Sequence, residues 1–193
     1  MAEIDKVFID TSELFPFTIM DLLLTLAEQF VFTWVWTDEL LDEWERVIVE
    51  SKRRTPESAK SVTNAVRAYF ESGLIEVDTY VDDITDDLSN DPGDRFHVAA
   101  CLGGRATVLL TRNLKDFAAQ ALAESGVRVL TADDYLVDLL RRRPRAVVDG
   151  VRQTAAARKN PPTSTAELLD RLEHAGAPRF AVALRRRREF VAG

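Results

Sequence analysis

Residues 91–111 read DPGDRFHVAACLGGRATVLLT, and the fold class follows from how this stretch must be built. Asp91 can cap a helix, Pro92 suits the first helical position, and Asp94 adds an acid to the first turn. The apolar run RFHVAACL then forms a helix that stops at Gly103-Gly104. Residues 107–111 (TVLLT) show no polar alternation, so the strand they form is buried on both faces. Such a strand needs helices packed against it, which predicts an α/β architecture with a parallel sheet.

The flanking sequence repeats the pattern. Residues 6–10 (KVFID) read as a short buried strand that ends at an aspartate, and residues 14–30 as a dense apolar helix pattern through Leu22, Leu23, Leu26 and Phe30. Residues 30–36 (FVFTWVW) are aromatic and β-branched, which favours a strand. Thr37 can cap a helix whose buried face carries Leu40, Leu41, Trp44, Val47 and Ile48. Pro56 opens a further helix that Gly73 closes, and residues 74–77 make a candidate strand before an acidic loop. After residue 111 come a short helix up to Gly126, a strand at 127–130 and a helix at 132–143. Pro144 marks a boundary, and the tail reads as helical, broken at Asn160-Pro161-Pro162 and near Gly176-Ala177-Pro178. The expected division is a domain over residues 1–143 and a helical C-terminal extension over 144–193.

Totals narrow the function classes. An apolar share of 46% and a charged share of 30% over 193 residues describe an ordinary globular chain. No apolar run approaches the roughly 18 residues of a membrane helix, and the acid-bearing start MAEIDKVFID is no secretory signal. Cys101, the single cysteine, excludes an intramolecular disulfide and a cysteine-rich zinc site and fits a reducing cytosol; a cytoplasmic protein is expected. The net charge of −7 speaks against a protein that coats nucleic acid. Acids gather at Asp82, Asp83, Asp86, Asp87, Asp91 and Asp94, and bases gather late, at Arg141, Arg142, Arg143 and Arg145 and over residues 185–188. Either uneven solvated faces or a carboxylate site with a basic flank would give this distribution.

In an open parallel sheet ligands bind beyond the carboxyl ends of the strands. Asp10 stands at one such end and Asp116 just beyond another, while Asp94 opens the helix before that second strand and Glu43 lies on the helix after the aromatic strand. Like charges brought together repel, and a divalent cation is the simplest remedy. Magnesium prefers oxygen ligands and can bridge carboxylates to a phosphate, which points to phosphodiester hydrolysis.

Four stretches then resemble one family in order. FIDTSELFP, with Asp10, is similar to the opening motif of PIN domains, and LLDEWERV, with Glu43, to the second. DPGDRFHVAAC is similar to the D-x-x-D-R-x-x-x-A-A motif of one PIN subgroup, and TRNLKDF, with Asp116, to the closing T-x-N-x-x-D-F. The tail NPPTSTAELLDRLEHAGAPRFAVAL resembles a C-terminal extension carried by some members of the VapC toxin family. The resemblance implies a three-layer PIN-like α/β fold with a central parallel sheet flanked by helices. It also implies an endoribonuclease that uses Mg²⁺ or Mn²⁺, with Asp10, Glu43, Asp94 and Asp116 as metal-holding and catalytic acids. The implied partners are an RNA substrate and the cognate antitoxin of a type II toxin–antitoxin pair, with a homodimer left open and no membrane.

Among the neighbours, Asp91 is assigned mainly to capping and Asp94 to metal. Thr111 and Asn113 are supporting residues that can fix the loop carrying Asp116. Asp42 points away from the apolar face of its helix, whereas Glu45 flanks that face and stays open as an alternative to Glu43. His97, Cys101 and the three tryptophans are read as packing residues, and the arginine runs as solvated faces or phosphate contacts. The rival readings are a PIN-like nuclease acting on DNA or in RNA maturation, and a non-catalytic module whose acidic groove holds a basic partner.

Overall fold

The computed structural model describes residues 4–115, 117 and 120–187. Four strands, β1 (Lys6–Ile9), β2 (Thr33–Val35), β3 (Val108–Leu110) and β4 (Arg128–Leu130), form one parallel sheet in the order β2-β1-β3-β4. In register, Val7 lies between Trp34 and Val108, and Leu110 lies opposite Leu130. The central strands are buried throughout from Val7 to Ile9 and from Val108 to Leu110, as uninterrupted apolar runs require. Edge strand β4 is only part-buried and exposes Arg128, a charge that discourages pairing with another sheet edge.

The chain forms two compact units. The first comprises residues up to Phe15 together with Thr33–Leu130, and the second comprises Pro16–Phe32 together with the chain from Thr131. The first holds the sheet with helices α1 (Thr11–Leu14), α3 (Asp38–Glu50), α4 (Pro56–Tyr69), α5 (Arg95–Gly103) and α6 (Gln120–Glu124). The second is helical: α2 (Phe17–Glu28), α7 (Ala132–Arg142), α8 (Pro144–Ala157), α9 (Thr165–Ala175) and α10 (Pro178–Arg185).

Helix ends follow the sequence closely. Thr37 caps α3 by accepting from the Leu40 N–H at 3.1 Å, and Thr55 caps α4 with Pro56 at its first position. Two expectations are corrected. Residues 30–36 are not all strand, because α2 closes through them: Phe30 takes a left-handed φ of 55° and the Val31 N–H donates back to Leu26 O at 3.0 Å. That helix-closing bond delays the strand to Thr33. Residues 74–77 make only a bridge between Trp36 and Leu74 before a 3₁₀ turn at Val77–Thr79. The bridge depends on Gly73, where a Cβ would lie 2.1 Å from Trp34 O. Asp78, Asp82 and Asp83 then favour turns over a longer strand.

In the helical unit, α2 packs on α8 and α9, and α10 on α7 and α9. Leu22, Leu23 and Leu26 are buried, as are Tyr135, Leu136, Val151, Leu168, Leu172 and Phe180 on the other helices of the unit. Gly150 permits the close approach of α8, since a Cβ there would stand 2.5 Å from Leu26 Cδ2. Pro144, the expected boundary, opens α8 directly after α7. Buried Asp133 on α7 accepts the backbone N–H groups of Arg179 (3.1 Å) and Phe180 (2.8 Å) and so caps α10 from another helix. Asp133→Ala strips both donors of their acceptor, so a loss of about 1–3 kcal/mol is expected. A urea midpoint equal to wild type would contradict it. Among the described residues, no helix is long and apolar enough to cross a membrane.

Candidate active site

The order β2-β1-β3-β4 makes β1 the strand from which the chain leaves to one side and later returns on the other. That reversal places the ligand crevice beyond the carboxyl ends of β1 and β3. Asp10 stands there, its N–H bonded to Leu110 O at 2.8 Å. It caps α1 from an extended conformation, and its side chain is 8% exposed.

The Asp10 carboxylate is held from three sides. The hydroxyls of Ser12 and Thr111 (2.9 Å) donate to Oδ2, and the Ser12 N–H reaches the same oxygen at 3.3 Å. Each hydroxyl is itself oriented by a backbone donor: the Arg112 N–H to Ser12 Oγ and the Asn113 N–H to Thr111 Oγ1, both at 3.0 Å. A hydroxyl that accepts from the backbone must point its single proton at Asp10. Thr111 thus supports Asp10 directly, and Asn113 acts on it through its backbone.

The other Asp10 oxygen faces His97. Nδ1 of His97 lies 3.3 Å from Asp10 Oδ1, and Nε2 lies 3.3 Å from Glu43 Oε2, so one imidazole spans both acids. These contacts are long and poorly aligned, so charge attraction counts for more than hydrogen-bond geometry. The ring is 1% exposed and packs near Phe8, Phe96 and Phe117. Burial opposes a charged imidazole, but Asp10 and then Glu43 outweigh it and push the His97 pKa up to about 9. For Asp10, burial works to raise the pKa; His97, Ser12 and Thr111 prevail and hold it below the ordinary carboxylate value.

Glu43 is singled out from its neighbours by their partners. Glu39 accepts from the Tyr80 hydroxyl at 2.6 Å, Asp42 pairs with Arg67, and Glu45 accepts from Thr63 Oγ1 at 2.7 Å. Glu43 remains 29% exposed in its side chain and borders a cleft of about 600 Å³ that Asp94, Asp91, Gly93, Arg46 and Phe96 also line. Asp94 sits where the 3₁₀ turn Pro92–Asp94 enters α5, and Asp91 caps that turn by accepting the Gly93 N–H at 2.8 Å.

The site residues thus fall into two linked pairs, Asp10 with Glu43 through His97, and Glu43 with Asp94 through the cleft. Asp116 lies outside the described residues. Among the described residues, no three acidic, histidine or cysteine side chains stand close enough together to hold a metal ion. His97 and Ser12 carry parts of the site that the sequence reading left to packing or passed over. Both had a signal: His97 follows Asp94 by three positions on one helix face, and Ser12 lies two residues after a strand-terminal acid, where a hydroxyl readily turns back. Trp34, Trp36, Trp44 and Cys101 are buried as expected of packing residues.

Comparison with known proteins gives the chain its relatives. The family described as "VapC50 C-terminal domain" matches residues 132–186. A protein named "Putative ribonuclease VapC50" from Mycobacterium tuberculosis (strain ATCC 25618 / H37Rv) is 35% identical over 102 residues. That match covers 51% of this chain and 58% of the relative. No solved structure matches. The family described as "PIN domain" matches residues 6–115, a span that contains β1 to β3, Asp10, Glu43, Asp94 and His97; this chain belongs to the PIN-domain family.

Proposed function

We propose that this chain is a metal-dependent endoribonuclease that hydrolyses RNA phosphodiesters, and that it is the toxin of a type II toxin–antitoxin pair. One observation carries the chemical part: a carboxylate at the switch point of the sheet is buried, oriented by two hydroxyls and faced by an imidazole. Burying a carboxylate costs several kcal/mol or more without partners, so packing alone does not account for Asp10. RNA as substrate rests on the likeness to the mycobacterial relative named as a putative ribonuclease, and an antitoxin as partner rests on the resemblance of the sequence to the VapC toxin family.

The donor set fits a hard divalent cation. Asp10, Glu43 and Asp94 offer oxygen ligands only, and Mg²⁺ is commonly held by one or two carboxylates with water in its other positions. These three residues would hold Mg²⁺ or Mn²⁺ only by drawing closer than they stand in the metal-free protein, as the ion's charge offsets their repulsion. Asp116 joins them by its place in the closing motif. When bound, the ion supplies Lewis-acid stabilisation of the charge that develops on the phosphodiester. The chain's own residues do the rest. Ser12 and Thr111 keep Asp10 in one rotamer, His97 neutralises the paired acids in the metal-free protein, and Glu43 and Asp94 line the cleft open to substrate.

The test uses the purified chain on single-stranded RNA. Cleavage is expected with Mg²⁺ or Mn²⁺ and none with excess chelator. RNA left intact in both would remove the nuclease reading and favour a binding module. Cleavage of DNA but not RNA would move the substrate assignment. For the biological role, expression alone should slow growth, and co-expression with the cognate antitoxin should relieve it.

A further inference from the structure

The two units differ in charge. The sheet-bearing unit contains 12 basic and 22 acidic residues, net −10, whereas the helical unit contains 13 and 10, net +3. An acidic unit with carboxylates in its cleft repels a polyanion, so an RNA substrate needs attraction from elsewhere in the chain.

The fold of the helical unit collects that attraction at one place. Two arginine runs, at residues 141–145 and 185–187, stand about forty positions apart in sequence. Packing of α10 on α7 joins them, with Arg187 Nη2 donating to Leu140 O at 3.1 Å at the end of α7. Arg141 lies in the last turn of α7, Arg145 in the first turn of α8, and Arg186 follows α10; all three are exposed.

Five other arginines of the unit are held by acids. Arg142 pairs with Asp138, Arg152 with Asp149, Arg158 with Asp21, Arg179 with Asp134, and Arg185 with Asp170 and Glu173. Arg141, Arg145 and Arg186 have no acidic partner among the described residues. The acids nearest them along α7 and α8, Asp138 and Asp149, are already engaged by Arg142 and Arg152. A stabilising surface pairs its arginines, as this unit does at Arg142, Arg152, Arg158, Arg179 and Arg185. Guanidinium groups left open at a helix corner suit phosphate, to which their fork is matched.

We propose that the α7–α8 corner and the end of α10, through Arg141, Arg145 and Arg186, form a docking surface for the phosphate backbone of the RNA substrate. This rests on the ribonuclease reading above. The surface acts in binding and not in bond breaking, and it is indifferent to base sequence.

The test measures binding of the full chain to a labelled single-stranded RNA in chelator, over a range of salt. The Arg141→Gln/Arg145→Gln/Arg186→Gln variant should bind about tenfold or more weakly, and its log Kd against log salt should flatten by roughly 0.7 per arginine. The corresponding triple lysine variant keeps the charge and should restore most of the binding. Arg152→Gln/Arg179→Gln removes two paired arginines and should cost far less. Wild-type affinity and salt slope in the triple glutamine variant would overturn the proposal, as would an equal loss in the paired-arginine control. Poly-glutamate binding lost with the same substitutions, in a chain whose RNA binding is unchanged, would assign the surface to an acidic protein partner instead. Cleavage of RNA by wild type with Mg²⁺ is scored separately. Cleavage without the binding defect removes only the docking surface, whereas neither binding nor cleavage removes both readings.

Discussion

Asp10→Asn should yield a folded chain that no longer cleaves RNA. The asparagine oxygen can still accept from the Ser12 and Thr111 hydroxyls, so the turn after β1 keeps its hydrogen bonds. What disappears is the negative charge at the switch point, and with it a ligand for the cation and the main partner of His97. Loss of an outer-shell partner of a metal site typically costs about 10–100-fold, so loss of a ligand charge should exceed that. Single-turnover cleavage with Mg²⁺ reads the effect, circular dichroism confirms the fold, and calorimetry should show weaker Mg²⁺ binding. A variant that cleaves at the wild-type rate would end the account of Asp10 as a catalytic acid.

His97→Phe should be the most destabilising single change in the site when metal is absent. Phenylalanine fills the pocket among Phe8, Phe96 and Phe117 but leaves Asp10 a buried charge without its cation. Breaking a buried ion pair costs about 3–5 kcal/mol, and the partial exposure of Glu43 places this one near the lower end. The pH dependence separates charge from packing. Because folding raises the His97 pKa from its ordinary 6.5 to about 9, the pair's contribution is complete below pH 6.5. It is lost as pH rises through 9, by roughly 3 kcal/mol in all. Asp10 reports the same interaction from the acid side: its depressed pKa means that the contribution is present above the ordinary carboxylate value and is lost as pH falls through the lowered one. Urea titrations in chelator across this range should therefore slope downward towards alkaline pH for wild type and run flat for His97→Phe. Parallel slopes would mean that the ring serves as packing alone.

Much of the architecture was legible because its signals are local. Apolar runs at residues 6–10 and 107–111 name buried strands, since no other element buries so short a segment on every side. Thr37, Pro56, Asp91 with Pro92, and the breaks at Pro161-Pro162 and Gly176-Ala177-Pro178 mark helix ends through hydrogen bonds made within a few residues. The start of β2 was misread at Phe30, because a helix-closing bond from Val31 to Leu26 outweighs strand preference there. The strand at 74–77 shrank to a bridge because one close approach at Gly73 decides the pairing.

By itself, then, the sequence determined the parallel α/β class and the helical tail through periodicity and caps, and it named Asp10, Glu43, Asp94 and Asp116 as acids worth testing through their resemblance to the motifs of one family. Tertiary structure alone decided which groups meet. That residues 16–32 pack with the tail helices depends on the mutual fit of Leu26 and Gly150, which lie more than a hundred positions apart. That His97 bridges two acids as well as packing among aromatic rings depends on two carboxylates delivered by other elements, one after β1 and one on α3. A side chain's burial can be read from its own helix face, but its charge is set by its neighbours in space, and those belong to the fold.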